Sequence, residues 1–294
     1  MTFTGSMVAI VTPFKNGKVD ETALRALIDR QIEGGTTVIV PCGTTGESAT
    51  LSHEEHDRVI RITVEQAAKR VKVLAGAGSN ATSEAIRLNQ EAQKTGADGT
   101  LHITPYYNKP TQEGLYQHFK AVAASADLPV FLYNVPGRTA VNMLPETVAR
   151  LSQIDTIVGI KEASGSLEQI KKIIETTPKK FTVLSGEDSQ TFDILSLGGR
   201  GAISVTANVV PKDCALQWDY FKSGKMKEAQ ALTTKLNPLH DAMFFETNPI
   251  PVKAALAMMG LIKEEYRLPL VPISEGNREK LKKVLRDFGL PLFR

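Results

Sequence analysis

Short apolar runs rich in β-branched residues recur along the chain at residues 7–11, 37–40, 71–75, 99–103, 130–133, 156–160, 182–184 and 202–205. Each run is continuous rather than alternating, as expected of strands covered on both faces in a parallel sheet wrapped by helices. The segments between them carry helical periodicity. Residues 20–34 place Leu24, Leu27, Ile28 and Ile32 at helical spacing, and residues 52–70 open with Ser52 and Glu55 spaced as a capping box. Further helical patterns cover 82–94, 111–126, 144–152, 166–176, 190–197 and 211–222, several ending near a glycine such as Gly96 or Gly198.

Eight alternations of strand and helix within 294 residues predict an α/β fold, a (β/α)8 TIM barrel, with an open doubly wound sheet as the alternative. After residue 224 the strand pattern stops, and 225–244, 249–259 and 274–288 predict a C-terminal three-helix appendage. Prolines at Asn248-Pro249-Ile250-Pro251 and across 269–272 mark the breaks between these helices. The expected organisation is a barrel over 1–224 and a helical region over 225–294.

Composition narrows the function classes. Hydrophobic residues at 42% and charged residues at 23% suit a chain with a large buried core. Thirty-five Lys plus Arg stand against 32 Asp plus Glu, interspersed along the helices, so a nucleic-acid partner is not expected. No basic start leads into an apolar stretch, and no run approaches the roughly 18 apolar residues of a membrane span. No membrane association is expected, and a cytoplasmic location is the default. Cys42 and Cys214 are read as reduced thiols, and the five histidines include no HExxH pair, so no metal site is expected.

Polar or glycine-rich segments follow the strands, which predicts one working face, since the βα-loops carry the chemistry of barrels. Lys161 ends the run Ile157-Val158-Gly159-Ile160, so its amine is expected at the barrel mouth, partly stripped of water. Desolvation favours an uncharged amine, the only form that attacks a carbonyl to give an imine. An ion pair with Glu162 is the plainer alternative. Tyr133 ends another strand and Arg138 follows it, bringing a proton-shuttling phenol and a carboxylate-sized fork to one loop. A core tyrosine and a surface arginine are their plainer readings. Adjacent Tyr106 and Tyr107 are expected to point apart, so at most one joins a given site. Gly43-Thr44-Thr45-Gly46-Glu47 combines hydroxyls with glycines that let backbone N–H groups converge on an anion, or forms a plain tight turn. Gly76-Ala77-Gly78-Ser79-Asn80-Ala81 matches G-x-G-x-x-A and opens an NAD(P)-binding oxidoreductase alternative. Its ribose-binding acid would be Asp98, which precedes the next strand instead of following it, so chance or close backbone packing is the competing reading.

Taken in order, Gly43–Glu47, Tyr133–Thr139 and Gly159-Ile160-Lys161-Glu162-Ala163-Ser164-Gly165, with Asn248-Pro249-Ile250-Pro251-Val252-Lys253, resemble the dihydrodipicolinate synthases. These belong to the N-acetylneuraminate lyase family of class I aldolases, and the likeness covers essentially the whole chain. It implies that Lys161 forms a Schiff base with pyruvate, without a cofactor. The resulting enamine then attacks L-aspartate semialdehyde to give 4-hydroxy-tetrahydrodipicolinate, committing carbon to diaminopimelate and lysine. By the same resemblance Tyr133 moves protons, Thr44 links it to Tyr107 from a neighbouring subunit, Thr45 and the backbone of Ile203 contact pyruvate, and Arg138 holds the carboxylate of the semialdehyde. A homo-oligomer follows, a tetramer built as a dimer of dimers. Feedback inhibition by L-lysine is implied at Ala49, His53, His56, Asn80, Glu84 and Tyr106. Arg138 argues against the family's sialic acid and ketodeoxysugar lyases, whose second substrate is sugar-derived. A barrel without catalysis is the remaining alternative.

Overall fold

In the computed structural model, which describes residues 3–293, the eight apolar runs form eight strands of one closed parallel barrel. They are β1 (Gly5–Ala9), β2 (Val38–Val40), β3 (Lys72–Gly76), β4 (Gly99–Ile103), β5 (Val130–Asn134), β6 (Ile157–Glu162), β7 (Thr182–Ser185) and β8 (Gly201–Ser204). Closure is made by β1, which pairs with β2 through Met7 and Val38 and with β8 through Met7 and Ile203. The unbroken hydrophobicity of the strands has a direct cause. Met7, Val38, Leu74, Leu101, Phe131 and Leu184 fill the barrel interior, while neighbours such as Val8, Ile39, Leu132 and Ile160 pack outward beneath the helices.

The helices that return the chain are α1 (Glu21–Glu33), α2 (His53–Ala67), α3 (Thr82–Thr95), α4 (Gln112–Ala123), α5 (Pro145–Leu151), α6 (Leu167–Thr176), α7 (Thr191–Ser196) and α8 (Pro211–Lys222). The capping box at the start of α2 is present: Glu55 N–H donates to Ser52 Oγ at 3.2 Å, and Ser52 N–H donates to Glu55 Oε2 at 3.1 Å. Such a cap contributes about 1 kcal/mol to a helix start. The helix stops short of the predicted end because Ala68 turns left-handed at φ 47°. A two-stranded hairpin, Phe14–Lys15 with Lys18–Val19, was not expected, since strands of two residues carry no periodicity.

Three more helices follow the barrel, α9 (Met226–Ala242), α10 (Ile250–Met258) and α11 (Glu275–Asp287). They do not sit apart. One apolar cluster runs from Val8 and Leu24 of the barrel to Leu236, Leu256 and Leu285 of this region, so α9–α11 are packed into the same core. Among the described residues no helix is long and apolar enough to cross a membrane.

Candidate active site

Tyr133 and Lys161 are cross-strand partners on β5 and β6, and therefore stand side by side on the barrel's inner face. Lys161 Nζ lies 4.4 Å from the centroid of the Tyr133 ring, and both residues are buried. The ion pair with Glu162 does not form. Strand alternation turns Glu162 outward, where it accepts hydrogen bonds from Asn134 Nδ2 at 3.0 Å and Ser164 N–H at 2.8 Å, and burial pushes its carboxyl above the usual range.

The amine opens into a cavity of about 350 Å³ whose walls include Thr44, Thr45, Tyr133 and Arg138, with Gly186 and Glu187 on the β7 side. The catalytic and substrate-binding residues expected from sequence converge there, with two exceptions. The Ile203 side chain belongs to the barrel-interior cluster, and Val205 lines the cavity from that strand's end. Tyr107 is 89% exposed, with φ 71°, and does not line the Lys161 cavity, while its neighbour Tyr106 turns into a second cavity. The two phenols therefore diverge as expected.

The Gly43–Glu47 loop closes as a turn at its far end, while among the described residues the Thr44 and Thr45 N–H groups make no hydrogen bond. Gly46 and Ser48 donate to Gly43 C=O and Glu47 donates to Thr44 C=O, so those three N–H groups are already in use. What the loop offers an anion is the pair of threonines. Thr45 Oγ1 accepts from Asn248 Nδ2 at 3.0 Å, and Arg138 donates to Asn248 C=O at 3.3 Å, which fixes both groups against the segment leading into α10. Lys253 on α10 forms a buried ion pair with Glu47 at the other end of the loop. Sequence reading missed Gly186, Glu187 and the positioning roles of Asn248 and Lys253. The Asn248–Lys253 motif was visible, but no sequence spacing tells that it folds back onto a loop some 200 residues away.

A second cavity, of about 580 Å³, adjoins the first and shares Thr44, Tyr133 and Arg138 with it. Ala49, His53, His56, Glu84 and Tyr106 line it, so five of the six positions expected for an effector come together. Asn80 does not line it, and its C=O accepts from Asn108 Nδ2 at 2.9 Å. The Ser79 hydroxyl and then His53 Nε2, at 2.9 Å, hold the Glu84 carboxyl below the usual range by hydrogen bonding to it. Burial lowers His56 and raises Tyr106, the latter helped by Glu84. Ser79 was not singled out from sequence.

The glycines of the G-x-G-x-x-A match serve packing. A Cβ on Gly76 would stand 2.1 Å from Cys42 C=O, and one on Gly78 would stand 2.4 Å from Ile103 N. Asp98 accepts from Val73 N–H at 2.9 Å, ahead of β4 rather than beyond its end. Of the two readings of this match, close backbone approach accounts for the glycines.

A model of the dihydrodipicolinate synthetase family matches residues 2–288. The chain belongs to this family. It is 61% identical over 288 residues to the 4-hydroxy-tetrahydrodipicolinate synthase of Syntrophus aciditrophicus (strain SB), covering 98% of this chain and 99% of that protein. Among solved structures it resembles the chloride-inhibited dihydrodipicolinate synthase of Acinetobacter baumannii complexed with pyruvate, with TM-score 0.97, 48% identity and coverage of 99% and 100% of the two chains. It also resembles the DHDPS of Cyanidioschyzon merolae with lysine bound, with TM-score 0.96, 41% identity and coverage of 98% and 99%.

Proposed function

We propose that this chain condenses pyruvate with L-aspartate semialdehyde to 4-hydroxy-tetrahydrodipicolinate through a Schiff base on Lys161. The observation that carries the reading is the buried Lys161 amine beside the Tyr133 ring, in a cavity that also receives Arg138. The amine adds to C2 of pyruvate and water leaves, giving an iminium that acts as an electron sink. Loss of a proton from C3 then yields the enamine, whose carbon attacks the aldehyde. The amine of the second substrate closes the ring on C2 and releases Lys161. Tyr133 is the group placed to relay the protons, with Thr44 on the adjoining wall. Thr45 and the backbone at Ile203 are assigned to the pyruvate carboxylate end, and Arg138 to the carboxylate of the semialdehyde. Such an arginine suits an amino-acid aldehyde better than the sugar-derived aldehydes of the related lyases.

Tyr107 lies outside the Lys161 cavity of its own chain, and its exposure supports its crossing into the site of a neighbouring copy. The oligomer is therefore read as a dimer paired into a tetramer, working in the cytoplasm. The second cavity is assigned to L-lysine as inhibitor, with Glu84 receiving an ammonium, and the Cyanidioschyzon merolae relative with lysine bound supports that choice. The 1–224 and 225–294 division is kept as barrel and site-completing helices.

A coupled assay tests the reading: turnover is expected with pyruvate and L-aspartate semialdehyde. Cleavage of N-acetylneuraminate or ketodeoxysugar acids without that condensation overturns the choice of substrate. Millimolar-range L-lysine is expected to slow turnover, and an unchanged rate rejects the effector site.

A further inference from the structure

We propose that Glu187 is the specificity determinant that recognises the α-ammonium of the second substrate. This rests on the functional reading above and adds a group that the reading leaves unassigned. L-aspartate semialdehyde carries a carboxylate and an ammonium on one carbon, so a site that binds it tightly must satisfy both. Arg138 answers the carboxylate. Among the described residues lining the Lys161 cavity, Glu187 is the one carboxylate.

Its placement fits the task. Lys161 stands on β6, Arg138 follows the neighbouring β5, and Glu187 follows β7 on the other side, so the two recognition groups flank the reacting amine. The Glu187 backbone is pinned: its N–H donates to Ser185 Oγ at 3.2 Å, and its C=O accepts from the same hydroxyl at 2.7 Å. Among the described residues no lysine, arginine or histidine forms an ion pair with its carboxylate, which leaves the group available to a ligand cation. Burial and the nearby Asp188 make its charge costly, while Lys161 favours that charge. Once loss of the C3 proton has turned the Lys161 iminium into the neutral enamine, an incoming ammonium supplies the cation that the carboxylate lacks.

The test compares the intact enzyme with Glu187→Gln, which keeps the shape and removes the charge. Three quantities are measured: the KM for L-aspartate semialdehyde, the inhibition constant of 4-oxobutanoate, and the rate of borohydride trapping with pyruvate alone. 4-Oxobutanoate retains the aldehyde and carboxylate but has no ammonium. The expected result is a KM raised about 10- to 100-fold, the loss typical of a hydrogen bond to a charged group, with the other two quantities unchanged. Equal weakening of both aldehydes, an unmoved KM, or slowed trapping overturns the inference, the last because Glu187 would then act through Lys161. Condensation by the intact enzyme with an unmoved KM sinks this inference alone. Absence of condensation in the intact enzyme sinks the functional reading and this inference with it.

Discussion

Lys253 and Glu47 form an ion pair across 206 positions of sequence, and both side chains are wholly excluded from solvent. The Lys253 ammonium also stands 4.3 Å from the centroid of the Phe14 ring. Burial pulls Lys253 below the ordinary lysine range, and the Glu47 carboxylate opposes that pull. Glu47 itself adopts a left-handed backbone at φ 53°, a conformation that non-glycine residues hold only when surrounding contacts enforce it. The pair thus fastens the far end of the loop that presents Thr44 and Thr45 to Lys161.

Removing one partner is predicted to cost far more than removing both. Lys253→Met leaves a buried carboxylate unpaired and is expected to cost about 3–5 kcal/mol of stability. Adding Glu47→Leu to that variant is expected to recover much of the loss, as a double-mutant cycle in denaturant would report. A single variant as stable as the parent contradicts the account of this pair.

Gly186 holds space for the reactive amine. A Cβ there would lie 3.0 Å from Lys161 Cε and 2.7 Å from Ala163 Cβ. Gly186→Ala is predicted to displace the Lys161 side chain and lower kcat by about 10- to 100-fold, since a shift of about 1 Å at a reacting group is enough for that. The barrel is expected to fold but to melt at a lower temperature, because Ala163 Cβ cannot swing clear of the added methyl. Steady-state kinetics beside a circular dichroism melt check both halves of this prediction, and an unchanged kcat rejects it.

The acid stability of the chain is predicted to follow its buried histidines. Burial pushes His102 down to about 3 and His118 down to about 4, from an ordinary 6.5. These groups stay neutral in the folded state while their unfolded counterparts take up protons below about pH 6.5. Stability therefore falls as pH drops from 6.5 towards 4 and, for His102, towards 3. His118 Nδ1 shares a hydrogen bond with Thr82 Oγ1 at 2.9 Å. His118→Gln is expected to melt with a shallower dependence on pH over that window. Identical slopes for parent and variant would reject the assignment to His118.

The barrel was legible in the sequence because its strands are buried on both faces, which leaves continuous runs such as 7–11 that no amphipathic helix imitates. Lys161 and Tyr133 were legible for a related reason: a charged residue and a phenol ending such runs must emerge at the barrel mouth. Asn248, Lys253, Gly186 and Glu187 were not. Their roles come from which loop each faces after closure, and distances such as that from Asn248 Nδ2 to Thr45 Oγ1 join segments with no local relationship. Asn80 shows the opposite case, where a position carried over by resemblance turns its backbone carbonyl to Asn108 and lies outside the second cavity.

The central claim is that Lys161 captures the keto acid covalently. Borohydride reduction in the presence of pyruvate, followed by peptide mass mapping, tests it most directly. The account predicts a single added mass on the peptide carrying residue 161, with loss of activity in proportion, and no addition in Lys161→Ala. Active protein that stays unmodified at that position under the same conditions contradicts it.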